Sequence, residues 1–414
     1  MYGRASVPIV RRRTYEPFAR TAAADRVLVR SATGTGVGLT VAGGALEFMR
    51  LSGLSGRARD RGVSGATMDT TTTGTVDTES AETLSSAAGR SMRAIARDRY
   101  GSADVLEVRE VEVPAPGDDE VLVRVRAAGL DRGTWHIMAG VPYLMRIAGY
   151  GVRTPKTAGL GTEVAGVIAA IGGQVAGLRP GDAVYGTCGA SFAEYSVARA
   201  DRVARLPTNL TFEQAAAVPV SGVTALQAVR DHGHVRAGQH VLVIGASGGV
   251  GTFAVQIAKA LGAEVTAVCS TAKLDLMRTI GADHVIDYTR SDITDGGPRH
   301  DLVLDIGGNR PLSQLRRALN RRGTLVIVGG EGGGRWTGGI HRQVMALALS
   351  PFVRQRLGTF IAKQNSADLD ALRALIETGA VTPVIDRVVT LPEIPDAIRD
   401  LASGQVRGKI VVAT

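Results

Sequence analysis

The apolar positions of this chain change rhythm part-way along. Between residues 91 and 206 they fall in short runs broken by turn residues. This texture predicts strands over 91–97, 106–113, 121–126, 166–171 and 183–185, with Pro114-Ala115-Pro116-Gly117 and Arg179-Pro180-Gly181-Asp182 as turns. Short strands closed by tight turns read as a compact β-barrel. At the junction, Thr211 is an N-cap and Gln214, three residues on, completes a capping box. A helix over 221–230 follows. Beyond Gly238 buried strands alternate with helical spacing: strands at 241–244, 264–268, 284–286, 301–305 and 324–328, helices at 248–261, 272–280 and 311–320. Such alternation implies a parallel sheet wrapped by helices through right-handed crossovers. Helices over 341–350 and 367–378 and strands over 388–390 and 409–412 close the chain. These last elements are expected to return to the barrel.

The stretch VLVIGASGGVGTFAVQIAKAL (241–261) organises the second half. Four apolar residues lead into Gly245, Gly248 and Gly251, and then Phe253, Val255, Ile257, Ala258 and Leu261 recur at helical spacing. Strand, glycine turn and helix in that order form the first βα unit of a dinucleotide-binding fold. The glycines allow a tight turn and close approach of a pyrophosphate, and the helix N-terminus offers N–H groups to it. The second strand runs into Cys269-Ser270-Thr271-Ala272-Lys273. An Asp or Glu there would accept from a ribose 2′-hydroxyl and repel a 2′-phosphate, and none is present. A cation 4 Å from a phosphate charge gains about 4 kcal/mol at an effective dielectric of ~20 before desolvation. Ser270 and Lys273 therefore point to NADPH over NADH.

Composition narrows the class. With 414 residues, 44% hydrophobic and 21% charged, the chain can bury two cores. No run approaches the ~20 apolar residues of a membrane span. The net charge of +9 has no accompanying basic-aromatic cluster, and aromatics make up 4%, so nucleic acid is not an expected partner. Two cysteines, Cys188 and Cys269, imply no disulfide framework, a packing role and a reducing, cytoplasmic compartment. Residues 1–91, rich in Ala, Gly, Ser, Thr and Arg, are expected to be a disordered extension. Organised sequence begins at Met92. The expected division is 92–215 for the first part of the barrel domain, 216–350 for the dinucleotide domain and 351–414 for the return to the barrel.

From Met92 onward the chain contains LGTEVAGVIAAIG (160–172), RPGDAVYG (179–186), ASFAEYSV (190–197), AAAVPVSGVTALQAV (215–229), GASGGVG (245–251), GADHVIDY (281–288) and RGKIVV (407–412). On these motifs it resembles the medium-chain dehydrogenase/reductase superfamily, in its zinc-independent, quinone-oxidoreductase-like branch. This likeness implies a GroES-like β-barrel domain with a Rossmann doubly wound parallel-sheet domain, the active site between them, and a homodimer. Zinc-dependent members take a Cys from the loop after the third barrel strand and a His from a Gly-His-Glu motif. Here the loop reads AGLDRGTWHIMAG and the motif reads Gly161-Thr162-Glu163. A threonine does not replace an imidazole on zinc, so no metal is expected, and Glu163 is expected to bond backbone or Arg groups.

Without a Lewis acid, hydride transfer from NADPH suits acceptors that are already electrophilic: quinones and α,β-unsaturated carbonyls. By matching positions, Gly245, Ser247, Gly248, Gly249 and Val250 would cradle the pyrophosphate. Lys273 and Tyr288, with Ser270 beside them, would meet the 2′-phosphate. Thr224 would lie against the nicotinamide, Val328 and Gly329 would border its ribose, and Asp131 stands where related quinone reductases carry Asn. Trp135, His136, Met138 and Tyr143 would line the substrate cleft, with His136 or Tyr143 as proton donor and Phe360 as a further closing residue. The competing readings are a zinc-free NADP-dependent alcohol or aldehyde oxidoreductase and a non-catalytic NADPH-binding regulator.

Overall fold

The computed structural model describes residues 89–295, 297–330 and 334–414, together with the backbone of three short strands near the start of the chain. Those three, β1 (Val27–Val29), β2 (Val37–Ala42) and β3 (Ala45–Arg50), pair antiparallel in the order β1-β2-β3 and belong to a separate unit. The rest of the expected extension, up to residue 88, lies outside the described residues.

The barrel begins with a hairpin, β4 (Ser91–Ala96) on β5 (Glu107–Glu112). Its main sheet contains β6 (Glu120–Leu130), β7 (Glu163–Ile171), β8 (Ala183–Thr187), β9 (Tyr195–Arg199) and β10 (Val203–Arg205). Between β6 and β7 lies α1 (Arg132–Ala139), in the stretch expected to be a loop. One Gly inside and mixed polarity hide this short helix, but its cap is local: Asp131 accepts from Thr134 N at 2.7 Å. The capping box of Thr211 and Gln214 forms as expected and opens α2 (Phe212–Ala216), followed by α3 (Pro219–Leu226).

The second sheet is parallel throughout, in the order β13-β12-β11-β14-β15-β16. Its strands are β11 (His240–Ile244), β12 (Glu264–Cys269), β13 (His284–Asp287), β14 (His300–Asp305), β15 (Leu319–Ile327) and β16 (Arg356–Thr359). The connecting helices include α4 (Gly249–Ala260) after β11 and α5 (Leu274–Thr279) after β12. α6 (Leu312–Arg317) precedes β15 and α7 (Ile340–Leu349) precedes β16. β15 starts earlier than expected because Leu319 already pairs with His300 across a register shift. Val241, Val243, Phe253, Val255 and Val265 are completely buried between sheet and helices. Each such side chain stabilises the fold by about 1.5–3 kcal/mol relative to exposure. The strand order reverses at β11, with β12 on one side and β14 on the other, which opens a crevice at the carboxyl ends of these strands.

After α8 (Ser366–Glu377) the chain enters β17 (Ile385–Thr390), α9 (Ile394–Ser403) and β18 (Lys409–Ala413). β18 lies between β17 and β6 in the barrel sheet. The fold is thus a GroES-like domain joined to a parallel-sheet, Rossmann-like domain. The segment between α9 and β18 passes along the crevice, so the chain's last turn forms part of the site.

Candidate active site

Two cavities share helix α1. The first, of about 780 Å³, is the crevice at the switch point. Its floor is the glycine turn. Gly245 takes φ +82°, a left-handed conformation that favours glycine. A Cβ on Gly251 would sit 2.3 Å from Gly245 O, so the first turn of α4 packs directly on the end of β11. Gly248, by contrast, meets only Gly245 O at 3.6 Å and faces the crevice. Gly245, Ser247, Gly248, Gly249 and Val250 all line it, as do Asp131, Ser270, Lys273 and Tyr288.

The turn is clasped from the barrel side. Gly408 N donates to Ser247 O at 2.8 Å, and Gly248 and Gly408 form a parallel bridge. Lys409 then runs beneath Gly249, where a Cβ would meet its Cδ at 2.9 Å. Its ammonium ends on Glu163 Oε2, while Glu163 Oε1 accepts from Val220 N at 2.8 Å. Both side chains are almost fully buried, Glu163 at 0% and Lys409 at 2% exposure. Burial foremost pushes the Glu163 carboxyl up to about 7, against the pull of Lys409. Glu163 therefore bonds backbone, one of the two expected alternatives, and its charged partner is Lys409 in place of an Arg.

Four further positions depart from expectation. Lys273 borders the crevice, but its Nζ donates to Gly404 O at 2.9 Å and Val406 O at 2.8 Å, fastening the far end of the α9–β18 segment. Burial is the main reason its pKa is lowered. Thr224 lines neither cavity: its hydroxyl donates to Val220 O at 2.6 Å, and Val220 and Ser221 face the crevice instead. Val328 and Gly329 line neither cavity, because their N–H groups turn back onto Asp305 O at 3.0 and 3.2 Å, while Gly330 reaches the second cavity. Sequence reasoning missed Lys409, an Arg-Gly-Lys lysine read only as part of a strand, and Asp287. The Asp287 carboxylate stands at the end of β13 and accepts from Thr289 Oγ1 at 2.7 Å and from Thr271.

The position of a zinc site has different chemistry. Asp131 caps α1 and its Oδ2 accepts from Thr162 Oγ1 at 3.0 Å. Glu163 is occupied by Lys409 and Val220 N. Among the described residues no group of three His, Cys, Asp or Glu side chains could hold a metal ion. These donors do not fit zinc. Cys188, remote from the glycine turn, is pushed up to about 12 by burial, which leaves its thiol protonated and unreactive at neutral pH.

The second cavity, of about 630 Å³, lies at the other end of α1. Here the structure brings together Trp135, His136 and Tyr143, with Tyr100, Arg146 and Gly330. Met138 is instead buried in the barrel core, and Phe360 stacks on His232, outside this cavity. Trp135 and His136 meet edge to face at 4.9 Å, and the Arg132 guanidinium lies 4.9 Å from the Trp135 ring centre. His136 Nδ1 is 2.8 Å from Val141 O. A carbonyl only accepts, so Nδ1 carries the proton. Tyr143 N donates to Arg335 O at 2.8 Å, tying the aromatic loop to the segment after β15.

Residues 117–208 match the model of the alcohol dehydrogenase GroES-like domain, and residues 280–412 match that of the zinc-binding dehydrogenases. The chain is 31% identical over 343 residues to Quinone-oxidoreductase QR1, chloroplastic, of Triphysaria versicolor, covering 78% of this chain and 99% of that protein. This chain belongs to the medium-chain dehydrogenase/reductase superfamily, in its quinone-oxidoreductase-like branch. A second member, the NADPH-dependent alkenal/one oxidoreductase, chloroplastic, of Arabidopsis thaliana, is 31% identical over 347 residues, with 78% of this chain and 80% of that protein covered. The structure of the quinone oxidoreductase from Coxiella burnetii superposes with a TM-score of 0.68 at 27% identity, covering 78% of this chain and 100% of that one. As a member of this superfamily the chain is an oxidoreductase of the nicotinamide-dependent kind. Among the described residues no helix is long and apolar enough to cross a membrane.

Proposed function

We propose that the protein is an NADPH-dependent, zinc-independent oxidoreductase that delivers hydride to a quinone or an α,β-unsaturated carbonyl. The observation that carries this reading is the pair of cavities on α1: a glycine-floored crevice at its start and an aromatic cavity at its end. The bound nicotinamide cofactor would supply the hydride. The protein's own residues bind and orient. Ser247, Gly249 and Val250 present backbone N–H groups at the start of α4 for the pyrophosphate, while Gly248 N closes the turn on Gly245 O. Ser270 and Tyr288 face the adenosine end, where β12 ends without a carboxylate and the nearby Asp287 is held by threonines. The relative named NADPH-dependent supports the same choice of cofactor.

Asp131 and Thr162 bond one another where zinc ligands would stand, so the carbonyl acceptor must be electrophilic by itself. Trp135 and Tyr143 offer flat faces for a conjugated acceptor. His136 turns Nδ1 toward Val141 O, and Tyr143 is the hydroxyl that supplies a proton from the cavity wall. A homodimer through the dinucleotide domains is supported by β16, an edge strand, and by the exposed apolar side chains Val344, Met345 and Leu347 of α7. The free thiols of Cys188 and Cys269 are compatible with a reducing, cytoplasmic setting.

The test is NADPH oxidation with a panel of quinones and enones, run beside alcohols with NADP⁺ and repeated after exhaustive chelation. Reduction of quinones or enones that survives chelation is expected. Turnover of alcohols alone, turnover lost with the chelator, or none at all would each refute the assignment.

A further inference from the structure

The crevice at the switch point holds a carboxylate that the phosphates of a dinucleotide do not need. Arg132, Lys273, Arg310 and Lys409 line it, as suits a polyanionic ligand, and so does Asp131. A carboxylate there repels a pyrophosphate and works against its binding. Helix capping alone does not account for it. Asp131 Oδ1 accepts from Thr134 N at 2.7 Å, but an asparagine caps a helix equally well without the charge. Oδ2 accepts from Thr162 Oγ1 at 3.0 Å. Both donors are neutral, so they fix the carboxylate at the wall, 8% exposed, without cancelling its charge. The neighbouring cations are turned to other partners. Arg132 lies against the Trp135 ring and donates to Leu401 O at 3.0 Å. Lys409 ends on Glu163, and Lys273 on Gly404 O and Val406 O.

The order of the dinucleotide's parts says what this carboxylate meets. The adenosine end belongs at the end of β12, beside Ser270 and Tyr288, and the pyrophosphate at the start of α4. The other half then extends toward residues 130–133, Val220 and Ser221, where α1 begins. Hydride transfer carries one proton and two electrons from the nicotinamide to the acceptor, which then takes up a further proton, and it leaves the ring with a positive charge. We propose that Asp131 is the counter-charge of the oxidised nicotinamide, favouring the cationic ring over the neutral reduced one and so making the bound cofactor a stronger hydride donor. The inference rests on the nicotinamide-cofactor reading above and adds to it a residue that sets the driving force. It also explains why a carboxylate is kept in a crevice that otherwise suits anions: the oxidised ring is the part of the ligand that it attracts.

The experiment measures dissociation constants of NADP⁺ and NADPH, and of NAD⁺ and NADH, by titration calorimetry with no acceptor present. In Asp131→Asn the side chain still accepts from Thr134 N and can donate to Thr162, so the charge alone is lost. NADP⁺ should then weaken relative to NADPH by about tenfold, which corresponds to about 30 mV in the potential of the bound two-electron couple. The NAD⁺-to-NADH ratio should move by the same factor, because the ring is the same and the 2′-phosphate takes no part. Asp131→Ser, another neutral helix cap, should repeat the shift and serves if Asp131→Asn fails to fold. Equal weakening of oxidised and reduced forms, the mark of a purely structural cap, would overturn the proposal and leave the cofactor reading intact. So would an unchanged ratio. A shift confined to the NADP⁺/NADPH pair also overturns it, since Asp131 would then be sensing the adenosine end. If the unsubstituted protein binds none of these dinucleotides, the cofactor reading falls and the proposal with it.

Discussion

The two cavities on α1 are built in opposite ways. The crevice at the switch point has a floor of backbone, the turn from Gly245 to Val250, with walls from 130–133, 268–273 and 401–409. Among the described residues, the second cavity is lined by residues gathered from near residue 100, from 135–146, and from Gly330, Gly334, Arg335 and Gly338. The first has tolerances of tenths of an ångström and little freedom to vary. The second is a set of aromatic and cationic surfaces whose members can change one by one. That contrast explains how one superfamily fold keeps its cofactor while its acceptors differ.

The largest break in the comparison comes from the glycines themselves. Gly251→Val should prevent stable folding, since its side chain would collide with Gly245 O and Ala246. Gly248→Val should fold, because φ −83° suits any residue and only one atom lies within 4 Å. It should nevertheless weaken NADPH binding by about a hundredfold or more by filling the space above the turn. Thermal unfolding and fluorescence titration with NADPH separate the two outcomes. Normal NADPH affinity in Gly248→Val would show that the pyrophosphate lies elsewhere.

This contrast also explains what could be read in the sequence. The glycine turn was legible because strand, turn and helix follow one another and each has its own period. The β-barrel and parallel-sheet textures were legible for the same reason, while the GroES-like character followed from the resemblance carried by the motifs. Trp135, His136 and Tyr143 could be nominated from their loop, yet not their companions. Tyr100 and Arg335 join them only through tertiary packing. Lys409 and Glu163, 246 residues apart, resemble surface charges until β18 is placed beside β6. β16, with the sequence RLGT, is too short to show alternation. Lys273 was identified as a cation in the right place, but its ammonium found backbone carbonyls first.

The buried Glu163–Lys409 pair joins the two constructions, and removing one partner is the next largest effect. Lys409→Met leaves a carboxylate buried without its cation and should cost about 3–5 kcal/mol of stability. The pH dependence is distinctive. Glu163 is raised by burial from its ordinary value of 4.5 to about 7 in the folded protein. A raised carboxyl binds its proton more tightly when folded, so its favourable contribution is present at low pH and is lost as pH rises through about 7. Relative to Glu163→Gln, the unsubstituted protein should thus lose stability between about pH 4.5 and 7, by on the order of 2–3 kcal/mol. Urea midpoints of the two proteins at pH 5 and pH 8 measure it. A difference of the opposite sign would mean that Lys409 holds Glu163 ionised throughout.

The smallest effect separates two residues that sequence grouped together. Lys273 and Ser270 stand at the end of β12 and both border the crevice. Lys273 donates twice to the segment linking α9 to β18, which also lines the crevice. Its loss should loosen that wall for any dinucleotide. Lys273→Met is therefore expected to weaken NADPH and NADH alike, with their ratio changed by less than about threefold. Among the described residues Ser270 makes no such bond across the crevice. Ser270→Asp places a carboxylate where a 2′-phosphate would lie and should move the NADPH-to-NADH preference by about tenfold or more toward NADH. Dissociation constants for both cofactors in both variants give the answer. A selective loss of NADPH in Lys273→Met would mean that the ammonium leaves Gly404 and Val406 when the phosphate arrives, and that the barrel-side wall moves with the cofactor.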